Sequence, residues 1–451
     1  MEEHALKQQP LEIGKSVIYQ SARVIRQHFA GLRDQLKELP DPRVRHHYMI
    51  DEIAMGSISM FLFKEATRNA FNNDRTEPRF RENYQKIFNM RLPHMDTVND
   101  VFLLADVDSF ENLKFNSISA LLRKKVLANQ RFMGRYLVAI DGTGIASYNY
   151  KHCDSCLSKT SKKTGKTTYF HNVLEAKLIT HSGMSLSIAT EWISNQGKAD
   201  FDKQDCEREA FKRLAEKIKK AYPRLPITIV ADGLYPWEGF FNICQQNRWN
   251  YIVTLKDNSL KTLQEDIHWE KRFNPEQKCQ VLRVKDKKQV HLSYQWLNGL
   301  AYRGHCLNWV ECMEETGGKG EEADKLQRFV HLSDLPIDAN TCPGVSDSGR
   351  LRQKIENEGF NIQKNHGYNL EHKFSRVSFS AMQIYYQCLQ IAHMINQITE
   401  LSSIIAAILN INKKFTIRYL WKRIISFMLE AVIEKTEIDN LLKKRFQIRL
   451  E

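Results

Sequence analysis

Apolar and polar positions alternate along this chain in two distinct textures. From about residue 16 to 130, apolar positions recur at helical spacing, as in Ile50, Ile53, Ala54, Ile58 and Phe61. Asp41-Pro42 reads as a helix opening, and the polar stretches Asn72–Pro78 and Arg91–Thr97 divide the region into several helices. From residue 131 the texture turns to strands. Tyr136–Ile140 is a short apolar run, followed by Asn172–Thr180 and Ser185–Trp192, which are joined by the turn His181-Ser182-Gly183. An amphipathic helix over roughly Lys203–Tyr222 puts Phe211, Leu214, Ala215 and Ile218 on one face. Then come the strand Ile227–Ala231, a helix opened by Pro236, and the strand Tyr251–Leu255.

The order strand, strand, strand, helix, strand, helix, strand is that of a ribonuclease-H-like core, an α/β (α+β) fold with a mixed sheet. In that fold the first and fourth strands lie side by side. Residues 259–328 carry alternating segments at Gln280–Val284, Val290–Trp296 and His305–Met313 and a polar Gly-rich loop at Glu314–Asp324, a β-rich insertion. The strand Phe329–Leu332 leads back to the core, and a long helical stretch from Arg350 onward supplies its last helix. The division expected is thus a helical region 1–130, core 131–258, insertion 259–328, core again 329–400, and a basic helical region 401–451. In 375–451, Phe379, Met382, Cys388, Ile391 and Ile395 are expected to face the core.

Both strands expected to be neighbours end in Asp-Gly: Asp141-Gly142 after the first, Asp232-Gly233 after the fourth. Each Asp alone could simply open a turn. Together, at one sheet end, they would offer two hard oxygen ligands of the kind Mg²⁺ or Mn²⁺ takes. Charge agrees with a polyanionic partner: 66 Lys and Arg oppose 53 acids, a net +13. The N-terminal region is nearly balanced, so the excess lies elsewhere. No run approaches 18 apolar residues, the longest lying near Ile404–Ile411, and the polar N-terminus resembles no secretory signal. Nine scattered cysteines in such a chain point to reduced thiols in the cytoplasm.

The densest motif is Arg350-Leu-Arg-Gln-Lys-Ile-Glu-Asn-Glu-Gly-Phe-Asn-Ile-Gln-Lys364. Arg352 and Glu356 share a helical face, which in most proteins means a surface salt bridge. Here that face would turn toward a sheet end already carrying two aspartates. From Tyr136 to about His372, with DGT at 141, ADGLY at 231–235 and IENEGFNIQKNHGYNLEH at 355–372, the chain resembles the DDE transposases of bacterial insertion sequences, of the insertion-sequence-four type. The resemblance implies a Mg²⁺-dependent enzyme with two metal ions, Mn²⁺ as a substitute, and Asp141, Asp232 and Glu356 as ligands. It implies that Arg352 holds a DNA phosphate and that terminal inverted repeats and target DNA are the partners. It also implies a cut-and-paste dimer pairing two element ends on the bacterial nucleoid. The family hallmark is Tyr-x2-Arg-x3-Glu-x6-Lys. Here Gly349 stands at the tyrosine position, and Gln363 at the lysine position with Lys364 one place later. One residue is about 100° of helix, so Lys364 can fill the role only where the helix is interrupted, with Gly359 a candidate point. Glu358 is a rival third acid, but Lys354 rather than Arg precedes it by four.

Other features carry alternatives. Cys153-x2-Cys156, with His152 before it and His171 downstream, supplies half of a zinc signature, and free thiols on a loop are the competing reading. The segment Leu157–Thr167 holds Lys159, Lys162, Lys163 and Lys166 and no acid, which suits a phosphate-tracking loop or a solvated one. Trp296 and Trp309 could stack on an unpaired base or simply pack in the core. Lys422-Arg423 and Lys443-Lys444-Arg445 make the C-terminal helices candidates for DNA contact or dimerisation. Two other functions remain open for the chain as a whole. One is a structure-specific nuclease of the same fold; the other is a non-catalytic DNA-binding protein derived from a transposase.

Overall fold

A computed structural model of the chain describes residues 10–194, 203–285, 288–316, 325–411 and 415–443. Among the described residues seven helices come first: α1 (Pro10–His28), α2 (Leu32–Lys37), α3 (Ile50–Leu62), α4 (Arg68–Thr76), α5 (Pro78–Phe88), α6 (Met95–Phe102) and α7 (Val107–Arg123). Asp41-Pro42 does not open a helix: Asp41 is tied up by Arg43, and α3 begins at Ile50, where the Glu52 carboxylate accepts from the Met49 N–H. The polar stretch Asn72–Pro78 is less of a break than expected. Asn72–Thr76 completes α4, and Pro78 starts α5 after the single residue Glu77.

The strands are β1 (Tyr136–Tyr148), β2 (Leu157–Thr160), β3 (Thr167–Ile179), β4 (Ser185–Ile193), β5 (Ile227–Ala231), β6 (Asn250–Thr254), β7 (Lys278–Lys285), β8 (Lys288–Tyr302), β9 (His305–Thr316) and β10 (Lys325–Ser333). Among the described residues they form one mixed sheet ordered β2-β3-β1-β5-β6-β10-β9-β8-β7, with β4 also on β3. β3 is antiparallel to both β1 and β4, while β1, β5 and β6 run parallel. The side-by-side placement expected of the strands bearing Asp141 and Asp232 is therefore found. Tyr136–Ile140 and Ile227–Ala231 are buried throughout, as suits central strands covered on both faces.

Between strands lie α8 (Lys203–Ala221), α9 (Glu238–Asn247) and α10 (Lys261–Phe273). The insertion thus opens with a helix, and its strands do not form a separate sheet. β10 pairs with β6, so β10, β9, β8 and β7 extend the central sheet as a meander. Part of the Gly-rich loop, 317–324, lies outside the described residues. The long helix expected from Arg350 is also broken up. α11 (Cys342–Arg350) is followed by a turn, a π-helical turn (Ile355–Asn361) and the single-turn α12 (Ile362–Asn365).

The described residues end in α13 (Phe379–Glu400), α14 (Ser403–Ile411), α15 (Ile417–Glu430) and α16 (Lys435–Lys443). α13 is buried on every side from Ile384 to Thr399, packed against α3, α7 and β4. No single described helix is long and apolar enough to cross a membrane. α15 lies along α1, so the two terminal helical regions come together in one body. Their approach is close: a Cβ on Gly14 would stand 2.1 Å from the Arg423 carbonyl oxygen. Gly14→Val should therefore cost about 3 kcal/mol, at the upper end for overpacking, and thermal unfolding reads this directly.

Candidate active site

β1 runs past Asp141 instead of stopping there, and Asp141 pairs with Glu175 on β3. β1 and β5 are in register up to Ala139 and Val230, so Asp141 and Asp232, each two residues further, share one level and one face. The Gly142 N–H donates to Asp141 Oδ1 at 3.0 Å, and the Leu234 N–H donates to Asp232 Oδ1 at 2.9 Å. Backbone donors thereby fix both carboxylates.

Arg352 joins the first acid to the third. Its Nη1 stands 3.6 Å from Asp141 Oδ2 and 2.9 Å from Glu356 Oε1. Lys256, two residues beyond β6, reaches to 3.5 Å from Asp232 Oδ2. Its aliphatic stem lies over Gly233, where a Cβ would meet Lys256 Cγ at 2.5 Å. Burial pushes the Asp141 carboxyl up to about 7; Arg352 opposes this, and Glu356 and Asp232 reinforce it. Three carboxylates thus crowd one sheet end, and two cations offset them. The donor set is all hard oxygen, and Arg352 occupies a place between Asp141 and Glu356 that a divalent cation would suit. The donor type is the one Mg²⁺ or Mn²⁺ takes, but the three carboxylates do not approach one another closely enough to share an ion as they stand.

Glu358 pairs with Lys354 and not with the aspartates. Gly349 is buried, and a Cβ there would lie 2.4 Å from the His331 ring, so an imidazole already fills the space beside it. Gln363 is fully buried and accepts from Lys177 Nζ at 3.3 Å, whereas Lys364 is partly exposed and pairs with Glu371 at 2.8 Å. The π-helical turn accounts for this difference. Such a turn accommodates one more residue than an α-helix, so it absorbs the extra residue between Glu356 and Lys364. Gly359 lies inside it, where a Cβ would come within 3.0 Å of Ser185 Oγ and 3.3 Å of the Lys177 stem.

The lysine segment is not a loop but a hairpin. Lys159 lies in β2, Lys162 and Lys163 in the turn, and Lys166 just before β3, and all four are exposed. None has a carboxylate partner among the described residues. Lys159 pairs with Thr168, seven residues along β3 from the partner of Asp141, or about 23 Å at strand rise. The hairpin is thus further from the acids than expected. Cys153 and Cys156 meet both His152 and His171. Trp296 and Trp309 are buried, which is the packing alternative. Lys422 is exposed and Arg423 lies against the Tyr419 ring, while Lys444 and Arg445 lie outside the described residues.

Sequence reasoning missed Lys256 and Lys177. Lys256 carried a usable signal, since it follows a third parallel strand at the end where the aspartates lie. Lys177, fully buried with its amine lowered to about 8 by burial, sits in a strand that gave no sign of a cation inside the core. No model of a known protein family matches the chain, and no curated protein matches it.

Proposed function

We propose that the chain is a DDE transposase of the bacterial insertion-sequence-four type, with a ribonuclease-H-like core. It would cut DNA at element ends and join them to target DNA. The observation that carries this is the Asp141–Arg352–Glu356 bridge beside Asp232 on the adjacent parallel strand. The strand order β4-β3-β1-β5-β6, three antiparallel and then two parallel, supports the fold assignment.

Asp141, Asp232 and Glu356 would hold Mg²⁺, or Mn²⁺ in its place, which would supply Lewis acidity toward the phosphodiester and the attacking hydroxyl. The two aspartates are fixed on rigid strands, while Glu356 sits on a short, irregular turn that can adjust when DNA arrives. Arg352 would hold a phosphate once its carboxylate partners are otherwise satisfied, and Lys256 flanks the same end. Lys364 and the hairpin lysines 159, 162, 163 and 166 extend a basic path along the duplex backbone. Water attacks first and a 3′-hydroxyl later, so no side-chain nucleophile is needed. A dimer would bring the two ends together.

The test is a Mg²⁺-dependent assay on double-stranded DNA taken from both flanks of the gene, where a mobile element must carry inverted repeats. Cleavage with joining supports the proposal. Cleavage alone would make the protein a nuclease, and binding without either would make it a non-catalytic DNA-binding protein.

A further inference from the structure

We propose that the chain holds a structural zinc ion between Cys153, Cys156, His171 and His152, at the base of the β2–β3 hairpin. One ligand atom from each of the four residues lies within 4.8 Å of all the others. The two sulfurs are 3.9 Å apart, and His171 Nε2 is 3.6 Å from Cys153 Sγ and 3.5 Å from Cys156 Sγ. A tetrahedral ion with Zn–S about 2.3 Å and Zn–N about 2.05 Å requires S···S of about 3.8 Å and S···N of about 3.6 Å. A mere pair of thiols gives no reason for an imidazole nitrogen nearly equidistant from both.

The surroundings have the form of a metal site. The Cys156 N–H donates to the Cys153 carbonyl oxygen at 3.2 Å, and the Cys153 N–H donates to Cys156 Sγ at 3.4 Å. The second of these donors stabilises a thiolate. His152 Nε2 lies 2.9 Å from the Arg376 carbonyl oxygen, which fixes the tautomer and leaves Nδ1, buried and without a hydrogen-bond partner, as its ligand atom. The ring of His152 stacks on Tyr148, and that of His171 stacks on Phe379 at 4.0 Å. Both rings are thereby held in place. Two soft sulfurs and two imidazoles select zinc over the oxygen-seeking Mg²⁺, and four protein ligands leave no open position, so the role is structural. Binding releases one proton from each thiol.

His171 pairs with Ala146 on β1, five residues past Asp141 and about 17 Å away along the strand, so this ion is distinct from any held by the acids. It ties the β1–β2 connection to β3 and to the segment ahead of α13. Leu157, the residue after Cys156, begins β2 and pairs with Phe170, the neighbour of His171. The ion thus closes the hairpin whose far end carries Lys162 and Lys163.

Metal analysis of the full chain, purified without chelator, should find stoichiometric zinc, lost in Cys156→Ser and in His171→Ala but kept in Cys244→Ser, a buried cysteine elsewhere. Because ligand variants could fail to fold, the wild-type chain supplies a second measurement. After chelation, Co²⁺ should give the visible absorption of a tetrahedral S₂N₂ site at one equivalent, displaced by Zn²⁺. Trypsin cleavage after Lys162 or Lys163 should be about tenfold faster without metal, as local opening becomes easier. Zinc-free protein with no tetrahedral Co²⁺ band, or zinc content unchanged in Cys156→Ser, would overturn the proposal.

Discussion

Asp141→Asn should lower DNA end cleavage by about a thousandfold or more, the loss of several kcal/mol of transition-state stabilisation at a metal centre. DNA affinity should stay within about twofold, because basic contacts to phosphate supply it. The asparagine keeps the shape and the Gly142 contact but removes the charge that would hold a cation. Glu356→Gln should behave alike, whereas Glu358→Gln should retain cleavage, since Glu358 serves Lys354. Cleavage surviving in Asp141→Asn would remove this aspartate from the chemistry. The same variant has a signature in stability. The folded-state carboxyl of Asp141 titrates near 7, above its ordinary value of 3.8, so the folded protein binds this proton more tightly than the unfolded chain. Stability is then fully present below about pH 4 and is lost progressively as pH rises to about 7. Asparagine carries no such loss. In EDTA, the melting temperature of Asp141→Asn should therefore rise relative to the native protein between pH 5 and 8.

The central parallel strands β5 and β6 were legible because they are apolar, five residues long and bounded by turn residues. Ile227–Ala231 emerged with its bounds unchanged, and the pairing of β1 with β5 followed from the likeness of the element order to a ribonuclease-H-like core. Errors fell where local pattern yields to tertiary context. β1 continues beyond Asp141 because β3 is long enough to pair with it, which no periodicity within 136–148 announces. The β2 hairpin is polar on its exposed end and reads as a loop. The insertion joins the main sheet through β10, and that edge pairing is encoded in two segments almost 80 residues apart. In the candidate site, the aspartates and Arg352–Glu356 were visible as motifs. His152 and His171 became credible partners of the two cysteines only once β1 and β3 were paired. The amides of α13, Gln390 and Gln397, look like surface residues in the sequence, yet they bond Lys177, Gln363, Ser185 and His393 inside the core.

That buried network decides between the two candidate positions for the hallmark lysine. Counting from Glu356 selects residue 363, and Gln363→Lys would restore the spacing on paper. Its side chain, however, would replace the amide that accepts from Lys177 and donates to Gln390 at 2.8 Å, where exposure is nil. A second ammonium beside Lys177 would be buried without a carboxylate partner. The expected cost is about 3–5 kcal/mol, that of an uncompensated buried charge, or neutralisation of one amine at a similar cost. Thermal unfolding should show Gln363→Lys strongly destabilised, with cleavage falling along with the folded fraction. Lys364→Ala should instead melt within a few degrees of the native protein, because a partly exposed pair such as Lys364–Glu371 contributes at most about 1 kcal/mol. Its effect should appear in DNA binding, as a weaker complex with a reduced dependence on salt. The reverse outcome, a stable Gln363→Lys that binds DNA better, would mean that the turn after Glu356 is α-helical and that residue 363 faces the DNA.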